Sequence, residues 1–400
     1  MNILLSSYSC NPYHGSEDGI GWHWAEILSK NFKDSTVYLV TKKANEADTK
    51  KGIEEFGLSN VKLIIVDLPY CLNWYREKNS AFHHIYYIAW QNLAYKWAKK
   101  SKIKFDIIHH VTMGDFRITG KMYKIKNAHT IFGPVGGGQA SPKSLKCYEK
   151  SNVIASVREL INKSTSYMPS YKRHIKQFDE VYAINKETEK YLSQSCSCKR
   201  LFELAIPDEL KNLQIEKKDT DCVNIMYMGR FIEKKGVILL LDIMEKMPKN
   251  LDFTLSIYGQ GPLKNTMEEI IKEKNLSSRV SILGPVEHSM ISSVYANSDI
   301  FIMPSIRETS GNVLIEAMAH KAPVVALDMS ICSDLKEHSC GLFVDINQSR
   351  DKIIKDFVDS LTSLINDRNM RITLGENGYN YVNNELTWEN KFKIIYGKYL

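Results

Sequence analysis

Short apolar runs alternate with amphipathic stretches along the first half of the chain. The apolar runs predict strands at residues 3–6, 36–41, 61–66, 107–111, 130–132 and 180–184. Between them, apolar positions three and four residues apart predict helices, for example over 21–30 and 81–100. Strand, helix and strand at this spacing favour a parallel, doubly wound α/β sheet.

The alternation fades between residues 201 and 222 and then begins again. Pro207 and the polar stretch 217–221 predict a linker. Beyond it, strands are predicted at 223–228, 253–258, 280–283, 300–303, 324–326 and 341–344, and helices at 237–247, 262–274, 287–297, 312–320 and 351–366. The pattern therefore predicts two Rossmann-like domains in tandem, and such sheets bind ligands where their strands end.

The composition narrows the class of protein. Of the 400 residues, 44% are hydrophobic and 25% charged, which is typical of a soluble globular protein and does not indicate disorder. No apolar run approaches the roughly 20 residues of a membrane-spanning helix, and the first residues predict a buried strand rather than a signal peptide. We therefore expect a cytoplasmic protein.

The net charge of +7 is unevenly distributed. Between residues 141 and 200, twelve Lys and Arg residues stand against six Asp and Glu residues, with aromatic side chains among them. Aromatic and basic residues together are typical of peripheral contact with an anionic membrane. A buried helix with a solvated basic end is the alternative, and nucleic acid is disfavoured because no binding motif accompanies the charge.

Two sequence patterns give only weak evidence for a metal site. The eight cysteines are scattered, and Cys196 and Cys198 form the only close pair, which favours free thiols over a zinc site. Asp219 and Asp221 form an Asp-x-Asp triplet, a pattern that can hold a metal–nucleotide pair. They lie in the polar linker beside two lysines, so we expect no metal site there.

The first candidate binding motif follows the strand predicted at 223–228. Gly229 lets the backbone turn tightly, Arg230 offers a planar fork of donors, and Lys235 adds a point charge. Both cations suit a pyrophosphate, although lysine-rich helix starts are common. The next strand is followed by a Gly-x-Gly-Pro turn containing Gly259 and Gly261, which by itself indicates only a tight turn.

A third motif joins a loop to a mostly apolar helix. Glu308 lies in the loop, Ser310 and Gly311 precede the helix, and Glu316 lies within it. Free backbone N–H groups at a helix start bind phosphate. A carboxylate in a buried helix requires a partner, such as the hydroxyls of a ribose. An ordinary carboxylate of an amphipathic helix is the alternative for Glu316.

As a set, these motifs resemble the GT4 family of retaining glycosyltransferases, which have the GT-B fold of two Rossmann-like domains facing across a cleft. The pair of glutamates separated by seven residues matches the family pattern, and the resemblance is strongest from 224 to 345. It implies an acceptor-binding domain over 1–205, completed by a C-terminal helix, 385–400, that crosses back to it. Residues 206–384 would form the donor-binding domain.

The resemblance also implies roles for individual residues. Arg230 and Lys235 would bind the donor diphosphate, and Glu308 would contact the transferred sugar. Glu316 would hold the ribose, with the turns at Gly229, Gly259 and Gly261 beside the donor. Backbone contacts to the donor would come from the start of the helix, at Ser310, Gly311, Asn312 and Val313.

Two glycine-rich loops of the first half resemble the bacterial polysaccharide-assembly branch of the family. The first loop contains His14, Gly15 and Ser16, and the resemblance places it against the diphosphate and the acceptor. The second loop has three consecutive glycines, which let a ligand approach the backbone closely: Gly136, Gly137 and Gly138. A flexible turn is the alternative for each loop.

The chain departs from many relatives at Phe132 and Gly133, where they carry a histidine assigned to the reacting sugar. His109 and His110, in the preceding predicted strand, or His14 could serve instead. A purely structural role is the alternative for each of these histidines.

The resemblance implies a hexosyltransferase that substitutes the anomeric carbon from its front face with retention, without a metal or other cofactor. The leaving phosphate oxygen itself would accept the proton of the acceptor. The expected partners are a UDP- or GDP-sugar and a lipid-linked glycan of capsule, exopolysaccharide or O-antigen, at the inner face of the cell membrane. The alternatives are a GT-B nucleotide-sugar epimerase or hydrolase, and a non-catalytic nucleotide-sugar-binding protein.

Overall fold

A computed structural model describes residues 1–14, 17–69, 80–150, 152–215, 217, 222–309 and 311–400. Contacts divide the chain into two compact units. Unit 1 comprises Met1–Gly138, Arg158–Leu204 and Trp388–Leu400, and unit 2 comprises Gln139–Val157 and Ala205–Thr387. The Asp219 and Asp221 pair of the predicted linker lies outside the described residues.

Unit 1 contains a parallel sheet of seven strands in the order β3-β2-β1-β4-β5-β6-β7. These are β1 (Asn2–Ser7), β2 (Thr36–Thr41), β3 (Val61–Ile65), β4 (Ile107–Thr112), β5 (His129–Val135), β6 (Glu180–Ala183) and β7 (Lys199–Arg200). The six predicted strands are confirmed, whereas β7 is too short to produce a periodic signal. Every residue of β4 is buried, as expected for a central parallel strand covered on both faces.

Unit 2 contains a second parallel sheet, in the order β10-β9-β8-β11-β12-β13. Its strands are β8 (Val223–Met228), β9 (Phe253–Tyr258), β10 (Val280–Gly284), β11 (Ile300–Met303), β12 (Val324–Leu327) and β13 (Gly341–Val344). All six predicted strands are confirmed. The strand order reverses between β8 and β11, the position at which doubly wound sheets bind ligands.

Helices connect the strands in both units. The first part of the chain has α1 (Glu17–Asn31), α2 (Glu46–Glu55), α3 (Ser80–Lys100), α4 (Asn152–Tyr167), α5 (Pro169–Ile175) and α6 (Lys186–Leu192). The second has α7 (Val237–Lys246), α8 (Lys264–Glu273), α9 (Ile291–Ala296), α10 (Asn312–Ala319), α11 (Cys332–Glu337), α12 (Arg350–Asn366), α13 (Arg368–Asn384) and α14 (Trp388–Tyr396).

The segment Gln139–Val157 packs within unit 2, whereas the boundaries expected from the sequence place it in the first domain. Leu145 is fully buried in the core of unit 2. The Tyr148 hydroxyl donates a hydrogen bond to Asp242 Oδ2 at 2.5 Å and accepts one from Arg350 Nε at 2.9 Å. These contacts hold the segment against unit 2 through one buried apolar side chain and one hydrogen-bonded phenol.

The C-terminal helix α14 belongs to unit 1, which confirms the expected return of the chain to the first domain. The His23 ring stacks on Trp388 with centroids 4.9 Å apart, and Phe32 contacts Phe392 at 5.3 Å. None of the helices in the described residues is both long enough and apolar enough to cross a bilayer.

Candidate functional site

An ion pair joins two turns at the edge of the unit 2 sheet. Strands β8 and β11 are neighbours, and the turns that follow them carry Lys235 and Glu308. Lys235 Nζ donates to Glu308 Oε2 at 2.5 Å, and Glu308 Oε1 accepts from the Thr309 N–H at 3.1 Å. The side chains are 19% and 9% exposed. The structure therefore brings together two residues that are distant in sequence.

Glycine at position 236 makes this approach possible. Gly236 follows the short 3-10 turn Glu233–Lys235 and has a φ of 69°, which disfavours other residues. A Cβ atom at Gly236 would lie 1.9 Å from the Pro304 carbonyl oxygen. The two turns can therefore pack together, with Lys235 facing Glu308, only if this residue has no side chain.

Four cations crowd the same edge of the sheet. The pKa of Lys234 is lowered by burial and then by the charges of Arg230, Lys235 and Arg307, and Glu308 opposes this effect. Arg230 itself is exposed. The sequence motif indicated Arg230 and Lys235, whereas Lys234 and Arg307 gave no recognisable signal. This concentration of positive charge can stabilise a multiply charged anion.

The Gly-x-Gly-Pro turn packs against the turn at Gly229. Gly259 has a φ of 133°, and a Cβ atom there would lie 1.9 Å from the Gly229 carbonyl oxygen. A Cβ atom at Gly261 would lie 2.6 Å from the Phe231 carbonyl oxygen. Close backbone packing accounts for both glycines, and their contact with a donor stays a prediction.

Helix α10 begins at the same edge. Its N-cap is Gly311, with a φ of 65°, and Asn312 and Val313 are half-buried in its first turn. Among the described residues, no hydrogen-bond partner reaches the buried Asn312 Oδ1. Ser310 lies outside the described residues. The free N–H groups of this first turn point along the helix axis, where an anion is stabilised.

Glu316 lies in the middle of α10 and contacts Tyr295 of α9. Burial, and then the Glu316 carboxylate, raise the pKa of the fully buried Tyr295. His320 Nδ1 lies 2.7 Å from the Glu316 carbonyl oxygen, and its Nε2 lies 2.7 Å from Ser292 Oγ. The His320 ring also stacks on Tyr295, at 5.4 Å. Tyr295 and His320 were not indicated by the sequence, because neither lies in a motif.

His109 and His110 lie on the buried strand β4 of unit 1. His109 Nδ1 is 2.6 Å from the Tyr396 hydroxyl and its Nε2 is 2.6 Å from the Gly133 carbonyl oxygen. Burial lowers the pKa of His109 to about 4, even though the Gly133 carbonyl and Glu180 oppose this effect. Both ring nitrogens are thus occupied, which favours the structural interpretation. A catalytic role stays a prediction.

His110 is enclosed in the same way. Its Nε2 lies 2.7 Å from the Tyr87 hydroxyl, its Nδ1 lies 3.0 Å from Ser6 Oγ, and its ring stacks on Phe132 at 5.8 Å. Burial, and then His109, lower the pKa of His110 to about 3. Phe132 is therefore a buried packing partner of this imidazole.

The two glycine-rich loops of unit 1 differ in what the structure describes. His14 is exposed, with its Nδ1 3.9 Å from Asp18 Oδ2, and Gly15 and Ser16 lie outside the described residues. In the second loop, Gly136 pairs with Asp115 in a β-bridge.

The other two glycines of that loop are enclosed. The Gly137 carbonyl oxygen accepts from Asn162 Nδ2 at 3.0 Å, and the Gly138 N–H donates to Thr188 Oγ1 at 3.2 Å. A Cβ atom at Gly138 would lie 2.6 Å from Thr188 Cα. Packing accounts for this glycine, and its contact with an acceptor stays a prediction.

Comparisons with known proteins find glycosyltransferases that resemble this chain. The family model for glycosyl transferases group 1 matches residues 208–381. The chain is 26% identical over 270 residues to the 2-deoxystreptamine N-acetyl-D-glucosaminyltransferase of Niallia circulans, covering 67% of this chain and 63% of that one. It is 26% identical over 207 residues to the capsular polysaccharide biosynthesis glycosyltransferase CapM of Staphylococcus aureus, covering 48% and 51%. Each of these matches spans less than two thirds of the relative's own length.

Solved structures show the same fold. A sucrose-phosphate synthase from Thermosynechococcus elongatus superposes with a TM-score of 0.64 at 18% identity, covering 100% of this chain and 98% of that one. The lipopolysaccharide outer core galactosyltransferase WaaB gives 0.63 at 16% identity, and Anabaena HepE in complex with UDP gives 0.61 at 15%, both covering 100% of each chain. The expected GT-B fold of two Rossmann-like domains is thereby confirmed.

Proposed function

We propose that the protein is a retaining, metal-independent hexosyltransferase, from the premise that residues 208–381 match the family model for glycosyl transferases group 1. It moves a sugar from a nucleotide-diphosphate sugar to a glycan acceptor. The observation that carries the proposal is the Lys235–Glu308 pair, which lies beside Arg230 and the start of α10 at the ligand-binding edge of the sheet.

Arg230 and Lys235 stabilise the departing diphosphate. An ammonium group has three N–H donors, so Lys235 can hold Glu308 with one and bind phosphate oxygens with the others. Arg230 adds a planar fork of donors. A unit charge about 4 Å from a phosphate contributes roughly 4 kcal/mol at an effective dielectric constant near 20. The first-turn N–H groups of α10 add to this stabilisation without any reorganisation of the protein.

The two glutamates bind different parts of the donor. Glu308, held by Lys235, accepts hydrogen bonds from the transferred sugar. Glu316, which lies near Tyr295, accepts hydrogen bonds from the ribose hydroxyls. Because Lys235 contacts Glu308 directly, the group that binds the leaving diphosphate also sets the position of the sugar.

Retention follows from attack on the face that the diphosphate leaves. The acceptor hydroxyl forms the new bond to the anomeric carbon while the bond to the phosphate oxygen breaks, and that oxygen takes the acceptor's proton. No protein base is then required. The engagement of both nitrogens of His109 and of His110 supports this assignment.

The proposed acceptor is a lipid-linked glycan of a bacterial surface polysaccharide, at an anionic membrane. One surface of α4 and the residues after it supports this, because Leu160 is 64% and Tyr167 65% exposed beside Ile161 and Met168. Basic side chains such as exposed Arg173 lie nearby in sequence. Apolar and basic groups together bind the headgroup region of anionic bilayers.

A donor screen followed by a product assay tests the transferase. Thermal unfolding is measured with UDP-, GDP- and ADP-sugars, because a bound donor raises the unfolding temperature by mass action. The stabilising donor is then incubated with and without glycan acceptors, and with a chelator. We expect transfer only with acceptor, unchanged by the chelator, with the anomeric configuration of the donor kept in the product.

The other outcomes identify the alternatives. Donor consumption at full rate without acceptor indicates an epimerase or hydrolase. Binding without turnover for any acceptor indicates a non-catalytic protein. An inverted product, or loss of activity with the chelator, overturns the retaining or metal-independent part of the proposal.

Vesicle sedimentation tests the membrane contact separately. We expect the protein to sediment with phosphatidylglycerol vesicles and not with phosphatidylcholine vesicles, and Leu160→Glu to reduce sedimentation. Ile372→Glu, which changes an exposed apolar residue of α13, is the matched control. Equal sedimentation of Leu160→Glu and the unchanged protein contradicts a role for this surface.

A further inference from the structure

A cavity of about 320 Å³ lies within unit 2, beside the Lys235–Glu308 pair. Its walls are residues 149–150, the turn 232–234, the start of α8 at 262–266, and Arg307. Arg230, Lys235, Glu308 and Glu316 do not line it. Its volume is at the lower end of the range for small-molecule sites, about 300–1,000 Å³.

The wall formed by residues 149–150 is firmly anchored. It follows Leu145 and Tyr148, which are held in the core of unit 2 and by Asp242. The Lys150 N–H donates to Glu233 Oε2 at 2.8 Å, and the Arg307 N–H donates to the Lys234 carbonyl oxygen at 3.2 Å. The cavity is thus bounded by backbone segments that are bonded to one another.

Glu149 presents an oxygen that no group of the described residues uses. Its side chain is only 7% exposed. Oε1 accepts from Ser141 Oγ at 2.9 Å and lies 3.6 Å from an Arg307 guanidinium nitrogen. Within the described residues, no donor reaches the buried Oε2. A buried carboxylate oxygen without a donor costs free energy, so this atom is suited to a ligand that donates a hydrogen bond.

Cations line the same cavity. No hydrogen bond or ion pair reaches Lys234 Nζ from the part of the chain that the structure describes, and Glu149 is the acidic group that contacts Arg307. Burial and the neighbouring charges of Arg230, Lys235 and Arg307 lower the pKa of Lys234, so an anion beside it relieves like-charge repulsion.

We propose that this cavity binds a phosphate monoester of a sugar or polyol at a site separate from the donor site. The phosphate contacts Arg307 and Lys234, and a hydroxyl of the same ligand donates to Glu149 Oε2. Inorganic phosphate alone contacts the cations and leaves Glu149 Oε2 without a donor. A neutral sugar donates to Glu149 Oε2 and leaves Lys234 without an anion. A ligand that carries both groups matches Lys234, Arg307 and Glu149 together.

Calorimetric titration of the full chain with glucose 6-phosphate, inorganic phosphate and glucose tests the proposal. We expect glucose 6-phosphate to bind more tightly than either of the others. Arg307→Gln and Lys234→Met each weaken its binding by about tenfold or more, because a hydrogen bond to a charged group is lost. Lys272→Ala, an exposed lysine of α8, is the control and leaves binding unchanged.

The binding constants of the Glu149→Gln variant distinguish a ligand-binding role of this residue from a purely structural one. The substitution removes a negative charge near the phosphate, so inorganic phosphate binds at least as well as before. The preference for glucose 6-phosphate over phosphate falls, because an amide oxygen accepts more weakly than a carboxylate. An unchanged preference overturns the role of Glu149.

Two further variants test whether the cavity is separate from the donor site. Lys235→Ala is expected to lose nucleotide-diphosphate binding and to keep glucose 6-phosphate binding, and Lys234→Met to show the reverse. Competition between UDP or GDP and glucose 6-phosphate for one site overturns the proposal, as does the absence of saturable binding. Because each ligand is titrated separately, this result is independent of whether the protein transfers sugars.

Discussion

The two units build similar parallel sheets and place their titratable side chains differently. In unit 1, His109 and His110 lie on the central strand β4, and every ring nitrogen has a partner. In unit 2, Lys235 and Glu308 lie in turns that follow strands. The Lys235 ammonium still has N–H donors beyond the one that Glu308 accepts.

This difference separates polar groups that stabilise a fold from those that bind a ligand. A polar group on a buried strand must be satisfied by the protein, because leaving it unpaired costs about 1–3 kcal/mol. A group in a turn at the end of a strand faces the edge where ligands bind, and its remaining donors need not be used by the fold. Changes in unit 2 should therefore affect activity first, and changes on β4 should affect stability first.

The largest effect is expected for Lys235→Ala. Loss of a positioned donor to the leaving group should lower kcat/KM by about 10²–10³-fold, because such donors act mainly on the charge that develops during reaction. Steady-state kinetics with the donor identified by the thermal screen measures this change. The unfolding temperature should remain close to that of the unchanged protein, and full turnover would falsify the assigned role.

Stability should fall in mildly acidic solution. A histidine in the unfolded chain has a pKa of about 6.5, whereas burial lowers the pKa of His109 to about 4 and that of His110 to about 3. Below a pH of about 6.5, the unfolded chain therefore binds protons that the native protein does not. The contribution of each histidine to the free energy of unfolding should decrease between these values by up to about 1.4 kcal/mol per pH unit. The carboxyl of Glu17, whose pKa is raised by desolvation to about 7, partly opposes this decrease above a pH of about 4.5.

Urea unfolding over this pH range measures the decrease. His110→Gln provides the comparison, because removing one of the two buried imidazoles should make the slope smaller. A free energy of unfolding that does not vary with pH in this range contradicts the picture of two neutral, enclosed histidines on β4.

Gly236→Ala tests the packing of the site without changing its charge. A φ of 69° costs an alanine about 1–2 kcal/mol, and the Cβ atom would also meet the Pro304 carbonyl oxygen. Gly284→Ala is the matched control, because Gly284 has a φ of 81° and no atom within 4 Å of the added Cβ. Chemical denaturation should show a larger loss for Gly236→Ala, and equal losses would mean that the two turns separate freely.

The smallest effect on activity is expected for His110→Gln. The free energy of unfolding should drop by about 1–3 kcal/mol, because the partners Ser6 and Tyr87 are left incompletely satisfied. Turnover per folded molecule should change by no more than severalfold. If turnover instead falls a hundredfold while the protein remains folded, His110 takes part in catalysis and the contrast between the units fails.

Much of the fold was predictable because each sheet is built from local patterns. The strand positions followed from apolar runs, and the restart of the alternation after residue 222 indicated a second domain. Boundaries were less predictable: Gln139–Val157 packs in unit 2 through Leu145 and Tyr148, which are contacts between residues distant in the chain.

Within the site, the sequence by itself determined which residue types stand at the strand ends. Arg230, Lys235, Glu308 and Glu316 belong to motifs with characteristic spacing, so the chemistry of diphosphate and hydroxyl binding could be predicted from them. Such signals are readable because they lie within short stretches of one chain.

Only the tertiary structure decided which of these groups contact one another and which polar groups have their hydrogen bonds satisfied within the protein. It paired Lys235 with Glu308, placed Tyr295 against Glu316, and enclosed His109 and His110. It also joined Glu149 and Arg307 at one cavity. These contacts link residues far apart in sequence, and their energies depend on burial and on distances of a few ångströms, which no local pattern records.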